Sequence, residues 1–377
     1  MRVLLAPDSF KGTITAVAAV AALRQGWESV DGASELIPMP LADGGEGTLE
    51  AFAAAVPGAA RVPIRVTGPD GSQIDASWLR LPPTEQSPGG VGVVELASTS
   101  GIELLDRLRP WDAHTLGFGQ AVAAALDGGV TRLIVGIGSS ASTDGGSGFL
   151  RALGARFLDA SGAEVPLGAR GLRSLARVDL DGMRAPVDTL VITDVTNPLV
   201  GQNGAAAVFG PQKGLRADEL DAVDRALTHY AQLMAAHLKQ APSAEDEGSG
   251  AAGGTGYGLL AWGARLIPGA AEIARLLGFD RALADTDLVV TGEGSYDGQS
   301  GAGKVPGFVM QAARAASVRV GLVAGRIDPE ADLAAFDTAI SLTEVAGSAD
   351  AAMEHTVSLL QEAGRFFAEQ FALGTRC

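Results

Sequence analysis

DLVVTGEGSYD, residues 287–297, decides the fold. Its first half, Leu288-Val289-Val290-Thr291, reads as a buried strand; its second, Gly292-Glu293-Gly294-Ser295-Tyr296-Asp297, reads as an acidic turn. The N-terminus repeats the pattern: the apolar run 2–6 leads into Asp8-Ser9-Phe10-Lys11-Gly12. Buried strands ending in Gly-rich loops are the units of an open α/β sheet, which binds ligands beyond the carboxyl ends of its strands.

Outward from 287–297 the rhythm continues on both sides. A helix is expected near 306–316, strands at 318–323 and 338–342, and a final helix over 351–369. The first 60 residues hold matching units. A strand at 2–6 precedes a helix over 15–27, whose apolar stripe is Val17, Val20, Leu23 and Trp27. A strand at 35–38 follows, then Asp43-Gly44-Gly45-Glu46-Gly47 and a helix from near Thr48. The middle differs. Runs rich in β-branched residues occupy 61–67, 73–81 and 91–96, and Pro82–Gly90 is a loop. Strands at 133–137 and 190–193, a helix over 147–158 and an amphipathic helix over 217–240 follow, then a loop over 241–256. A chain of 377 residues is large for one core. The expectation is α/β, with one domain made from both chain ends, the middle inserted, and a boundary near residues 60–75.

Composition narrows the partners. A net charge of −16 argues against nucleic acid or an anionic membrane as the main partner, though a local positive field suffices for a small anion. Cys377 is the only cysteine, which rules out intrachain disulfides and a Cys metal cluster. Met1-Arg2-Val3-Leu4-Leu5-Ala6-Pro7 is cut short by Asp8 and is not read as a signal peptide; the cytoplasm is the expected location.

The candidate chemistry lies in the loops, and each residue has a structural alternative. Asp8, Ser9 and Lys11 would clamp a small hydroxy acid, or simply form a turn. Asp43 and Glu46 flank glycines, as ligands or as helix-capping charge. Asp194, at the end of the strand 190–193, binds Mg2+ or accepts a hydroxyl proton, or else builds an Asx turn with Thr196 and Asn197. Ser139-Ser140-Ala141-Ser142-Thr143-Asp144 cradles an anion or caps a helix. Lys213 is a second lysine for phosphate, or a surface turn residue. Glu293 and Asp297 position a metal or substrate, or pair with Lys304. Gly298–Lys304 matches the spacing of a phosphate loop, but Val305 stands where that motif needs Ser or Thr. The histidines lack metal-ligand spacing.

Taken in order, APDSFKG (6–12), MPLADGGEGT (39–48), STDGGSGFLRALGARFLD (142–159), DVTNPLVGQNGAAAVFGPQKG (194–214), AAGGTGYGLLAWGARLIPG (251–269) and TGEGSYDGQSGAGKVP (291–306) closely resemble type-I bacterial glycerate kinases across essentially the whole chain. The resemblance implies transfer of the γ-phosphate of ATP, with Mg2+, to the 2-hydroxyl of D-glycerate. It implies a flavodoxin-like parallel-sheet domain from residues 1–68 and 281–377, a mixed-sheet α/β domain at 69–280, and an active site in the cleft between them. Carried over residue by residue, it makes Asp194, Asp43, Lys11 and Asp297 catalytic, with Asp194 the first choice of base and Asp8, Asp43 and Asp297 its rivals. Asp8, Ser9, Lys11, Glu293 and Asn197 would bind substrate. Lys213, Lys304, Ser140 and Ser142 would bind ATP, and Asp194, Asp43 and Glu46 would hold Mg2+. Two departures stand out. Ser295 replaces the family's usual Arg after Gly-Glu-Gly, which removes a charged fork, with Arg326 a candidate substitute. Thr115-Leu116-Gly117-Phe118-Gly119 also departs from the usual Thr-x-Tyr-Gly-x-Gly. A kinase for another hydroxy acid and a non-catalytic metabolite-binding module are the alternatives. Oligomeric state is not readable.

Overall fold

The computed structural model describes residues 1–297 and 304–373. Among these, thirteen strands form three sheets. They are β1 (Arg2–Leu5), β2 (Glu35–Pro38), β3 (Ala60–Thr67), β4 (Gln73–Leu81), β5 (Val91–Glu95), β6 (Arg132–Gly136), β7 (Arg156–Leu158), β8 (Arg177–Asp179), β9 (Asp188–Ile192), β10 (Arg265–Ile267), β11 (Leu288–Tyr296), β12 (Arg319–Ile327) and β13 (Thr338–Ser341). The chain divides into two compact units: Met1–Asp43, Glu50–Pro57 and Pro268–Cys377 make one, and Gly44–Leu49 with Gly58–Ile267 the other. The second unit thus starts and ends earlier than the 69–280 span expected from sequence, because β3 and its hairpin partner β4 belong to its sheet. No helix among the described residues is long and apolar enough to cross a membrane.

The first unit is an all-parallel sheet in the order β13-β12-β11-β1-β2. Strand alternation divides its apolar residues between two cores. Val3, Leu5, Leu288 and Val290 face one core, closed by the helices Ala16–Glu28 and Thr356–Ala368. Leu4, Val289, Val320 and Leu322 face the other, under the helix Val305–Ala315. A parallel sheet covered on both faces needs such continuous apolar strands. The two helices of the first core meet backbone to backbone. A Cβ on Gly26 would lie 1.9 Å from the Gln361 carbonyl oxygen, and one on Gly364 would lie 2.1 Å from that of Leu23.

The second unit is built on a mixed sheet, β10-β9-β6-β5-β4-β3. β3, β4 and β5 pair antiparallel; β5, β6, β9 and β10 run parallel. The residues Val93, Val94, Leu133, Val135, Val191 and Ile192 are buried, so the parallel half sits at the centre of the unit. The helix Leu116–Asp127 covers it, with Phe118 against Phe149 and Phe149 edge-on to Trp262. Gly44, at φ +94°, presses on β9: a Cβ there would lie 2.6 Å from the Ile192 carbonyl oxygen. β7 and β8 form a separate antiparallel pair.

Three local expectations change. The acidic stretch after Thr291 is not a turn but the continuation of β11 to Tyr296, paired with β12 as far as Ile327. Glycines on both strands let them approach: a Cβ on Gly292 would lie 2.2 Å from the Val323 oxygen, and one on Gly325 would lie 2.5 Å from the Gly294 oxygen. The helix expected over 147–158 ends at Ala152, and Gly154, at φ +107°, turns the chain into β7. The terminal helix breaks at His355 into Ala349–Glu354 and Thr356–Ala368.

Candidate active site

Two cavities gather the sequence candidates, one in each unit. The first, of about 320 Å3, opens beyond the carboxyl ends of β1, β11 and β12. β1 ends, yet its chain stays on β11, with Ala6 N donating to Val290 O and Asp8 N to Gly292 O, both at 2.8 Å. This brings Asp8, Ser9 and Lys11 beside Glu293, and Asp43, Asp297 and Lys304 line the same cavity. Four residues far from Asp8 in sequence, Asp43, Glu293, Asp297 and Lys304, thus join it because parallel strands bring their carboxyl ends together.

Asp8 is 5% exposed, and its carboxyl titrates well above the usual carboxylate range. Burial is the main cause, followed by the charge of Asp43; Glu293 adds to it. The Ser9 amide, which donates to Asp8 Oδ1 at 2.6 Å, and Lys11 oppose the rise. Lys304 Nζ lies 3.8 Å from both Glu293 and Asp297, so the structural alternative for Lys304 is realised as a weak double pairing. Ser9 Oγ is buried with no hydrogen-bond partner among the described residues. A buried hydroxyl without a partner costs folding free energy, and this one lines the cavity. The sequence reading did not identify Thr343 or Met353, which line the same cavity. They follow β13, where no loop motif announces them. Residues 298–303 of the phosphate-loop-like motif lie outside the described residues.

The second cavity, also about 320 Å3, lies at the carboxyl ends of β6 and β9. Lys213 sits on the short turn Pro211–Lys213 and is buried. Its Nζ donates to Ser140 Oγ at 2.8 Å and to the Ser142 carbonyl oxygen at 2.5 Å. Burial pushes its pKa down to about 7, and only Asp144 opposes. Lys213 is therefore not a surface turn residue. Ser139 (φ 60°) and Ala252 (φ 52°) line this cavity, and they are two of the three non-glycine residues with positive φ among the described residues. Such backbone strain concentrates at functional sites.

Asp144, read from sequence as the end of the stretch that cradles an anion or caps a helix, is the hub beneath that loop. Its carboxylate accepts from Thr115 N (2.9 Å), Thr115 Oγ1 (2.8 Å), Ser142 Oγ (3.2 Å), Gly146 N (3.1 Å) and Gly148 N (3.3 Å). Asp194 follows β9 and is half-buried between the cavity-lining residues Thr193 and Val195. Asn197 Nδ2 donates to Asn203 O at 2.9 Å, which shapes its own loop. Glu46 is exposed. Among the described residues no group of three or more His, Cys, Asp or Glu is placed to hold a metal ion.

The comparisons with known proteins agree. The model of the "Glycerate kinase family" matches residues 3–372. A "Glycerate kinase" of Bacillus subtilis (strain 168) is 37% identical, over 99% of this chain and 98% of that one. A "Glycerate 2-kinase" of Escherichia coli (strain K12) is 36% identical, over 100% of this chain and 99% of that one. Among solved structures, the "Crystal structure of putative glycerate kinase 2 from Salmonella typhimurium LT2" is similar over the whole of both chains, with TM-score 0.83 and 35% identity.

Proposed function

The chain belongs to the glycerate kinase family, and on that premise we propose that it phosphorylates the 2-hydroxyl of D-glycerate with ATP and Mg2+, giving 2-phosphoglycerate and ADP. Family membership makes it an enzyme, a phosphotransferase acting on a small hydroxy acid, which removes the non-catalytic alternative. The observation that carries the finer reading is the first cavity, with its interacting carboxylates Asp8, Asp43 and Glu293 and the buried Ser9 hydroxyl that lacks a partner. The strand order of that unit, counted within it, is 2-1-3-4-5, and we infer a flavodoxin-like kinship from it.

The residues fit the reactants. Bound Mg-ATP supplies the electrophilic phosphoryl group and screens charge on its oxygens. Mg2+ keeps several waters and takes one or two carboxylates together with phosphate oxygens, so it needs no preformed cage of three protein ligands. Its one or two carboxylates are proposed to come from among Asp194, Asp43 and Glu46. Lys213, Ser140 and Ser142 supply a charge, hydroxyls and backbone for phosphate, and Lys304 is assigned to the nucleotide with them. Ser9, Asp8, Lys11, Glu293 and Asn197 are assigned to the hydroxy acid, and Asp297 and Lys11 to orienting the reacting groups.

The base is the sharpest question. Asp194 keeps the first assignment, at a strand end where a carboxylate accepts the hydroxyl proton. Asp8 is the second reading, favoured by its raised pKa, which makes its ionised form the stronger proton acceptor. The cytoplasm remains the proposed location.

Steady-state turnover with D-glycerate, ATP and Mg2+, with product NMR, tests the whole. 2-Phosphoglycerate is the expected product; 3-phosphoglycerate or no product overturns the reading. Asp194→Asn and Asp8→Asn then divide the base question. The true base loses ~100-fold or more in kcat that neither excess Mg2+ nor excess D-glycerate restores, whereas the other variant, altered only in metal or substrate binding, recovers to within about threefold when both are raised.

A further inference from the structure

Ser295 and Arg326 are directly opposed on neighbouring parallel strands. The β11–β12 register pairs Glu293 with Ala324, Ser295 with Arg326 and Tyr296 with Ile327. Opposed residues on adjacent strands project from the same face, about 5 Å apart. Both Ser295 and Arg326 line the first cavity. Each follows a glycine, and the Gly294–Gly325 contact draws the two strands close. The Thr343 hydroxyl donates to the Gly325 carbonyl oxygen at 2.8 Å and anchors the backbone next to Arg326.

The cavity's positive charges are differently placed. Lys304 lies equidistant from Glu293 and Asp297, between two carboxylates. Lys11 acts on the buried Asp8. Arg326 also lines the cavity, is 63% exposed, and its ion pair to Asp328 spans 3.8 Å. At that distance and exposure the pair is a weak tether. A guanidinium so placed has the planar fork that matches a carboxylate with two parallel hydrogen bonds. Ser9, buried and without a partner among the described residues, lines the same cavity, as do Asp8, Asp43 and Glu293. The lining thus offers a fork for an anion and a hydroxyl site beside general-base candidates. These are the two kinds of group that a 2-hydroxy carboxylate needs.

We propose that Arg326, with Ser295 opposite it, binds the carboxylate of the acceptor acid and so selects hydroxy acids over neutral polyols. The proposal rests on the kinase reading above and names the group that recognises the acceptor. Because the two positions share one face, the guanidinium is transferable between strands, with serine at the position it leaves.

The test is a set of four proteins: the parent, Arg326→Ala, Arg326→Lys, and the exchange Ser295→Arg/Arg326→Ser. KM is measured for D-glycerate and for ATP, and binding of D-glycerate alone by calorimetry. Arg326→Ala is expected to raise the D-glycerate KM and Kd more than ~10-fold and to leave the ATP KM within about twofold. Arg326→Lys, which keeps the charge and loses the fork, falls between. The exchange recovers D-glycerate binding to within about fivefold of the parent. A rise confined to the ATP KM assigns Arg326 to the donor and overturns the proposal, as does an unchanged D-glycerate KM or an exchange that behaves like Arg326→Ala. Circular dichroism distinguishes a folding defect, in which case Arg326→Lys alone decides. A parent that turns over no hydroxy acid defeats the kinase reading instead, and calorimetry still reports on Arg326.

Discussion

Lys213 Nζ lies 2.8 Å from Ser140 Oγ at a position only 3% exposed, and its pKa is depressed to about 7. The folded value is below the ordinary 10.5, so the folded protein binds fewer protons than the unfolded chain between those values. Stability therefore rises as pH climbs from about 7 towards 10.5, and below about 7 the full cost of burying the charge is felt. Phosphate recognition runs the other way. As Lys213 loses its proton above pH 7, kcat/KM for ATP falls by up to ~10-fold per pH unit. A pH series on the parent and on Lys213→Met checks this: the variant starts low and shows no break near 7. The same break in both proteins excludes Lys213.

Asp144 accepts five hydrogen bonds while fully buried. In Asp144→Asn the amide nitrogen cannot accept, leaving some of those donors unmatched, and the opposing charge for Lys213 is gone. We expect a loss of about 3 kcal/mol in urea unfolding and a break in the ATP profile at lower pH than in the parent. An unchanged midpoint would show that the hub is dispensable.

Ser9→Ala removes a buried hydroxyl that lacks a partner among the described residues. The variant is expected to be as stable as the parent or slightly more so, because nothing is left unpaired. Its D-glycerate KM is expected to rise by ~10-fold, the worth of one hydrogen bond. Lower stability with unchanged KM would make Ser9 a structural residue.

The helices Ala16–Glu28 and Thr356–Ala368 touch through Gly26 and Gly364. Gly364→Ala puts a methyl 2.1 Å from the Leu23 carbonyl oxygen, which the helix cannot yield without separating from its neighbour. The expected cost is about 3 kcal/mol, read as a lower Tm, with KM values unchanged in the folded fraction. A Tm equal to the parent's would mean that the helices slide freely.

Removal of divalent cations is expected to abolish turnover and leave Tm where it is, since the described residues hold no three-ligand cluster around which the fold could depend on an ion. A large fall in Tm with EDTA would point to a structural metal instead.

Much of this was legible because strand ends converge. Reading apolar runs followed by acidic loops selected Asp8, Lys11, Glu293 and Asp297, and the phosphate-loop-like spacing added Lys304; one unit brings all five to one cavity. Other features had no local signature. Glycines 292 and 294 looked like turn residues, yet a Cβ on Gly292 would lie 2.2 Å from the Val323 oxygen of β12, 31 residues on, and one on Gly294 would meet the backbone of Phe10 and Lys11. Asp144 looked like a turn former, and its five donors come partly from Thr115, which no local pattern connects to it. Arg326, named from sequence only as a candidate substitute for the family's Arg, lies within β12 beyond the strand expected at 318–323, and only the register shows that it stands opposite Ser295.

The discontinuous first unit also sets an order of assembly. β1 pairs with β11, whose residues emerge from the ribosome some 285 positions later, as in the bond from Thr291 Oγ1 to Ala6 O. The second unit is nearly contiguous and has its whole sheet once β10 is made. The N-terminal strand waits through that time with one edge unpaired, a template for association with other nascent chains. Nascent chains stopped before residue 288 are therefore expected to resist protease over 58–267 and to be cut readily within the first 43 residues, and the kinase becomes whole only when its last third is made.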